Sequence, residues 1–241
     1  IFAEYSEELW KEFTRYMIDY ARKERVLFFR ISPLVKPEEE LLFRRLGYKA
    51  AAIHAMDAEV CWVLSLMKPA DVLLQEMRKT TRYEIRRAQK MGILIESTDK
   101  ASELNKFFDL YDETSKRQGF VQHKGIKEEF EVFVNKGEAL LYTASFENKL
   151  IATAIILFVG SQGIYHHGAS ITSSVPASYA IQWEAIQEAQ KRGMKQYNFW
   201  GIAPDDNPNH PWKGITLFKK GFGGEVRHYL HAQDYPVSPF Y

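Results

Sequence analysis

Apolar positions along this chain change period several times, and the changes mark out its elements. Leu9, Phe13, Tyr16, Met17 and Tyr20 recur at three- and four-residue steps behind Ser6, which predicts a capped amphipathic helix to about residue 23. The run VLFFRISP predicts a short strand stopped by Pro33, and residues 37–46 predict a helix ended by Gly47. AEVCWVLSL reads as a strand. From Pro69 one long helix is predicted up to Gly92, with proline near its start and glycine at its end. A strand at 93–97 and helices at 101–116 and 125–135 follow. Three strands come next, ALLYTASF, LIATAIILFV and GIYHHGAS, the first pair joined by a turn at Glu147, Asn148 and Lys149. Then come a helix at 176–192, the strand QYNFWG, a Pro/Asp/Asn-rich loop, a short helix carrying Phe218, Lys219 and Lys220, and a tail with one more strand. Helices alternating with strands and hairpins predict an α/β (α+β) fold with mixed sheets flanked by helices, and a boundary near residues 92–97.

Composition narrows the function classes. The chain has 241 residues, 46% hydrophobic and 26% charged, so a packed core is expected rather than disorder. Net charge is +1, which gives no global pull toward a polyanion and leaves only local patches. Cys61 is the single cysteine, so no internal disulfide forms and a cytoplasmic setting is expected. No apolar run reaches the ~20 residues of a membrane span.

Two segments carry candidate chemistry. In MRKTTRYEIRRAQKMG, residues 77–92, Arg78, Arg82 and Arg86 stand four apart and share a helix face. That face is either a solvated surface or one for phosphate, since guanidinium groups grip phosphate with two prongs. In WGIAPDDNPNHPWKGITLFKKGFGGE, residues 200–225, Lys219 and Lys220 end a short helix, and Gly221 is expected to close it in the left-handed conformation. They are either dipole-capping cations or, for one of them, a fixed charge in a cleft that stabilises a developing oxyanion. Consecutive helix positions point about 100° apart, so one of the two lysines is expected to be solvated. Asp205, Asp206, Asn207 and Asn209 read as turn formers. His210 reads as a lone loop residue. His166 and His167 are adjacent in a strand and are expected on opposite faces, which excludes joint ligation of one metal. GxGxxG, GxxxxGK(S/T), GxSxG, HExxH and CxxC are all absent, so no cofactor and no metal is expected.

MRKTTRYEIRRAQKMGI, the WVLSL before it, SYAIQWEAIQEAQKRGMKQYNFWGI and GITLFKKGFGGE occur in that order and resemble the FemABX family of peptidoglycan bridge-forming aminoacyltransferases. The resemblance runs from about residue 26 onward. It implies tandem GNAT-like domains: residues 1–95 with 228–241 as a first domain lacking its N-terminal part, and 96–227 as a second. It implies transfer of an amino acid from aminoacyl-tRNA to the stem peptide of a peptidoglycan precursor, soluble or lipid-linked, with peripheral contact at the inner membrane face in the second case. Within it, Phe218 and Lys219 match the pair associated with catalysis, and Arg117 and Tyr179 match precursor contacts. A coenzyme A donor is disfavoured, because ITSSVPASYAIQWEAI lacks the glycine-rich pyrophosphate loop. An acyltransferase with another donor and a non-catalytic RNA- or partner-binding module are the alternatives.

Overall fold

The structure, a computed structural model, describes residues 6–52, 59–119, 121–203 and 210–241. In chain order its elements are α1 (Glu7–Lys23), β1 (Phe28–Ile31), α2 (Glu40–Arg45), β2 (Lys49–Ala50), β3 (Val60–Ser65), α3 (Ala70–Glu76), α4 (Lys79–Met91), β4 (Leu94–Thr98), α5 (Asn105–Gln118), α6 (Ile126–Val134), β5 (Ala139–Phe146), β6 (Lys149–Val159), β7 (Gln162–Ser170), α7 (Ala177–Lys191), β8 (Gln196–Gly201), α8 (Lys213–Lys220), β9 (Glu225–His228) and β10 (Gln233–Pro236). This is a mixed α/β fold with mixed sheets flanked by helices. The tail holds two strands, β9 and β10, where the sequence predicts one.

The chain divides into two compact units, residues 1–61 with 226–241 and residues 62–225. The division falls after Cys61, well ahead of the 92–97 boundary read from the sequence. Physically, Leu73, Met77 and Ile85 pack in one core with Ile156, Ile181 and Phe199, which binds α3 and α4 to the larger unit.

In the smaller unit β10 lies between β1 and β2, antiparallel to both. Ser6 caps α1 by accepting the Leu9 N–H at 3.1 Å, and Trp10, Phe29, Phe43 and Tyr48 form the core. Arg30 pairs with Asp234 across β1 and β10, Nε to Oδ1 at 2.5 Å and Nη2 to Oδ2 at 2.8 Å.

In the larger unit the sheet runs β4-β5-β6-β7-β8-β3. β4 to β7 are antiparallel, and β7 and β8 are parallel. Glu147 and Asn148 both take positive φ, +50° and +60°, as a two-residue hairpin turn requires. Helices cover both faces, which is why β6 reads as a near-continuous apolar run, interrupted by Thr153. Its Ala154, Ile156 and Phe158 face α7, and its Ile155 and Leu157 face Phe107 of α5 and Phe130 of α6.

The helix predicted from Pro69 to Gly92 is two helices. Met77 and Arg78 are extended, with ψ of 153° and 142°. The Arg78 N–H turns away and donates to the Gly221 carbonyl at 2.9 Å. A long-range bond thus wins over local helix propensity, and Arg78 becomes the N-cap of α4.

Candidate active site

The candidate site lies in the larger unit, where two parallel strands part. β7 and β8 pair only over Gln162–Ile164 and Gln196–Asn198. Beyond that register, β8 ends in strain: Trp200 takes φ +65°, costly for a large side chain, and the Asn198 Oδ1 holds it by accepting its N–H at 2.8 Å. The next residue, Gly201, presents its carbonyl to the Nζ of Lys219 at 2.6 Å. Lys219 is buried, only 7% exposed, although it stands in the last turn of an eight-residue helix. Its Nζ also lies 5.9 Å over the Tyr165 ring. Burial pushes the Tyr165 phenol up to about 12, so that ring stays neutral beside the lysine. The Ala203 N–H donates to Thr216 Oγ1 at 2.8 Å, fastening the chain after β8 to α8.

Phe218, one position back, faces elsewhere, as the 100° step demands. It packs edge-on against Tyr179 at 4.9 Å and Phe222 at 5.3 Å. Phe218 and Tyr179 line a pocket of about 310 Å³ together with Glu84, Arg87, Ser174 and Ser178. Arg87 pairs with Glu84 at 3.1 Å in its wall. Burial raises the Tyr179 phenol above its ordinary range, and the charge and hydrogen bond of Arg78 partly oppose that rise. The pocket is therefore an aromatic floor with one ion pair and hydroxyls around it, suited to an extended polar chain with apolar stretches.

α8 ends on a different device from the one expected. Gly221 is right-handed, with φ −63°, and Gly223 and Gly224 carry the positive φ values, +81° and +104°. Gly221 is instead a close approach: a Cβ there would sit 2.3 Å from Thr81 Oγ1. The start of α4 and the end of α8 are thereby held together, which brings Arg78, Tyr179 and Phe218 to one place.

The other basic residues are dispersed. Arg82 Nη1 donates to the carbonyls of Gln75 at 2.5 Å and Met77 at 2.8 Å, closing the end of α3. Arg86 is exposed on α4. Because Arg78 stands outside the helix, the three arginines do not form one helical stripe. Arg117 Nη2 donates to the Ser170 carbonyl at 2.7 Å, at the end of β7, and Nη1 stands 3.7 Å from Glu113. Lys220 is half-buried rather than solvated, with Nζ 5.4 Å over the Trp62 ring. The His210 Nδ1 accepts the Trp212 N–H at 3.0 Å. Asp205, Asp206, Asn207 and Asn209 lie outside the described residues.

One cluster escaped the sequence reading. Ile155 pairs with His167 and Ile156 with Tyr165, so His166 is the extra residue of a β-bulge. The bulge cancels strand alternation and turns both imidazoles toward Glu129 of α6. His166 Nε2 lies 3.0 Å from Glu129 Oε1, and His167 Nε2 lies 4.0 Å from Oε2. The expectation of opposite faces is therefore incorrect. Burial holds the His167 imidazole down to about 3, with His166 and His123 adding to the effect.

The architecture defines a mixed α/β protein whose central sheet opens beside a buried lysine and an aromatic pocket. The FemAB family model matches residues 43–126 and 127–241, and the chain belongs to the FemAB family. It is 26% identical over 196 residues to the UDP-N-acetylmuramoylpentapeptide-lysine N(6)-alanyltransferase of Weissella viridescens, covering 78% of this chain and 57% of that protein. It is 34% identical over 83 residues to the aminoacyltransferase FemA of Staphylococcus epidermidis, covering 34% of this chain and 18% of that protein. The chain thus spans little more than half the length of the first of these relatives and far less of the second. The crystal structure of FemX superposes with a TM-score of 0.83 at 17% identity, over 96% of this chain and 77% of that one. L-PGS from Bacillus licheniformis superposes at 0.60 and 14% identity, over 92% of this chain and 72% of that one. Both likenesses concern the fold. Among the described residues no helix is long and apolar enough to cross a membrane.

Proposed function

We propose that this chain carries the acyl-transfer centre of an aminoacyltransferase, moving an amino acid from aminoacyl-tRNA to an amine of the stem peptide of a peptidoglycan precursor. The observation that carries this reading is the buried Lys219 ammonium on the Gly201 carbonyl where β7 and β8 part, in a chain of the FemAB family. The names of the Weissella and Staphylococcus relatives support the reaction class.

In this reading the acceptor amine, in its neutral form, attacks the ester carbonyl of the charged tRNA. The C–N bond forms, the carbonyl oxygen becomes an oxyanion, and the ester C–O bond then breaks. The amine's proton leaves with the departing ribose hydroxyl. Lys219 supplies a fixed positive charge for the oxyanion, in a site screened from water, where such a charge counts most. Phe218 and Tyr179 hold the apolar part of the substrate in the 310 Å³ pocket, and Arg78 steadies the Tyr179 hydroxyl. Arg117 offers its remaining N–H groups to the diphosphate of the precursor. Arg86, exposed on α4, meets the tRNA backbone. Arg82 serves the fold, because its guanidinium already closes α3. With a lipid-linked acceptor the protein works at the inner membrane face as a peripheral partner, and with the soluble nucleotide precursor it works in the cytoplasm.

The test is direct. The protein is incubated with mixed charged tRNAs and with either the nucleotide-linked or the lipid-linked precursor, and products are read by mass. Addition of one aminoacyl residue to the stem peptide is expected. Transfer from acetyl-coenzyme A instead, or no transfer from any charged tRNA, overturns the reading.

A further inference from the structure

We propose that Glu129, His166 and His167 form a binding site for one divalent transition-metal ion of the zinc class. Their ligand atoms all lie within 4.8 Å of one another. Two imidazole nitrogens and one carboxylate oxygen are the ligand set of three-residue zinc sites that keep an open position. A tetrahedral zinc ion with bonds of about 2.0–2.1 Å needs its ligand atoms about 3.3 Å apart. The separations of 3.0 Å and 4.0 Å from Glu129 bracket that value, and no separation in the set exceeds 4.8 Å.

Three further observations point to a ligand rather than to packing. First, the His167 side chain is nine-tenths buried, and its Nε2 aims into the cluster with no hydrogen-bond partner. A buried polar atom left in that state costs about 1–3 kcal/mol, and a metal ion removes the cost. Second, the β-bulge at His166 is what makes both rings converge. Bulges re-aim side chains, and a regular strand would have separated the two. Third, access is one-sided: the walls are Ile126, Phe130, Ile155 and Leu157, while Glu129 is 40% and His166 21% exposed. The set contains no sulfur, which favours Zn²⁺ and Co²⁺ over soft Cu⁺. The site would pin α6 to β7, and its His166 ring stands 6.4 Å from Trp200, the residue before Gly201. It does not depend on the acyl donor or acceptor.

The experiment uses the untagged chain, stripped of metal and titrated with Co²⁺, then with Zn²⁺ in competition. One equivalent of Co²⁺ is expected, with visible absorption bands of a four- or five-coordinate ion that Zn²⁺ abolishes. His167→Ala and His166→Ala are expected to lose the bands. Glu129→Gln, a half-exposed change that leaves the core intact, is expected to weaken binding at least about tenfold. His231→Ala, which alters an imidazole of the other unit, is expected to retain one equivalent. Far-UV circular dichroism identifies any variant that fails to fold, and Glu129→Gln then decides. No saturable uptake at micromolar Co²⁺ overturns the site, as does uptake unchanged in Glu129→Gln and in the folded histidine variants.

Discussion

Lys219 Nζ donates to the Gly201 carbonyl at 2.6 Å, and this bond joins the last turn of α8 to the end of β8. A lysine in that position of a surface helix ordinarily points to water. Here the chain that leaves β8 through a left-handed Trp200 turns the carbonyl toward the helix, and the ammonium is held where the strands separate.

The first prediction concerns that ammonium. Lys219→Met keeps the length of the side chain and removes the charge. Transfer is expected to fall by about 10²–10³, the usual cost of losing one oxyanion donor. Stability is expected to fall by about 1–3 kcal/mol, because the Gly201 carbonyl loses that donor. Single-turnover transfer and urea unfolding measure the two separately. A folded Lys219→Met with undiminished transfer removes Lys219 from the mechanism.

Much of the larger unit was legible in the sequence. β6 is a long apolar strand because both its faces are covered, and LIATAIILFV says so without help. The hairpin expected at Glu147, Asn148 and Lys149 is present, with Glu147 and Asn148 as its turn and Lys149 opening β6. What could not be read were features set by distant partners. The break at Met77 and Arg78 exists because the Gly221 carbonyl, more than a hundred residues away in sequence, takes the Arg78 N–H. Nothing in MRKTTRYE marks it. The bulge at His166 has no propensity signature either, so two adjacent histidines read as an ordinary alternation. Of the seven residues picked for the candidate site, Tyr179 and Phe218 line the pocket, Arg78 meets the Tyr179 hydroxyl and Lys219 follows Phe218 on α8, whereas Arg82 closes the end of α3.

Tyr179 and Phe218 yield a second prediction. Tyr179→Phe retains the ring against Phe218 and Phe222 and removes only the hydroxyl that meets Arg78. Its stability is expected to change by less than about 1.5 kcal/mol. Tyr179→Ala opens the pocket floor and is expected to cost about 2–4 kcal/mol. If the pocket seats the acceptor, Tyr179→Ala raises its KM by at least tenfold, and Tyr179→Phe raises it far less. Equal KM values in the two variants separate the pocket from acceptor binding.

A third prediction sets two kinds of glycine apart. Gly221→Ala places a Cβ 2.3 Å from Thr81 Oγ1 and 3.1 Å from the Phe218 carbonyl, so α4 and α8 must move apart. The expected loss is about 1–3 kcal/mol, and transfer falls with it because the pocket widens. Gly223→Ala meets nothing nearer than 3.9 Å, and its cost is the left-handed backbone, about 1–2 kcal/mol. Gly223→Asn is therefore expected to recover part of that loss, whereas Gly221→Asn recovers none. Chemical denaturation of the four variants tests the distinction.

The last prediction is the pH dependence of the smaller unit. His231 presents Nδ1 to Glu59 Oε1 at 2.6 Å and Nε2 to the Ala51 carbonyl at 2.9 Å. Both partners accept, so the doubly protonated ring is favoured, and its pKa rises above the ordinary value with the Ala51 carbonyl as the largest cause. A raised folded pKa stabilises below the unfolded value of about 6.5, and that contribution is lost as pH rises through the folded pKa. Asp234 has the opposite sign. The Arg30 guanidinium, aided by the Tyr241 hydroxyl, holds its carboxyl below the ordinary range. Its contribution is present above the unfolded value of about 3.9 and disappears as pH falls through the folded one. Stability of the wild-type chain is therefore expected to drop on both sides of a plateau between these two values. His231→Gln flattens the alkaline limb and leaves the acid limb unchanged. Asp234→Asn flattens the acid limb and lowers the plateau, by less than for a fully buried pair because Arg30 is 29% exposed. Urea titrations at half-unit steps from pH 3 to pH 9 resolve the two limbs, and an alkaline limb that persists in His231→Gln assigns it to another group.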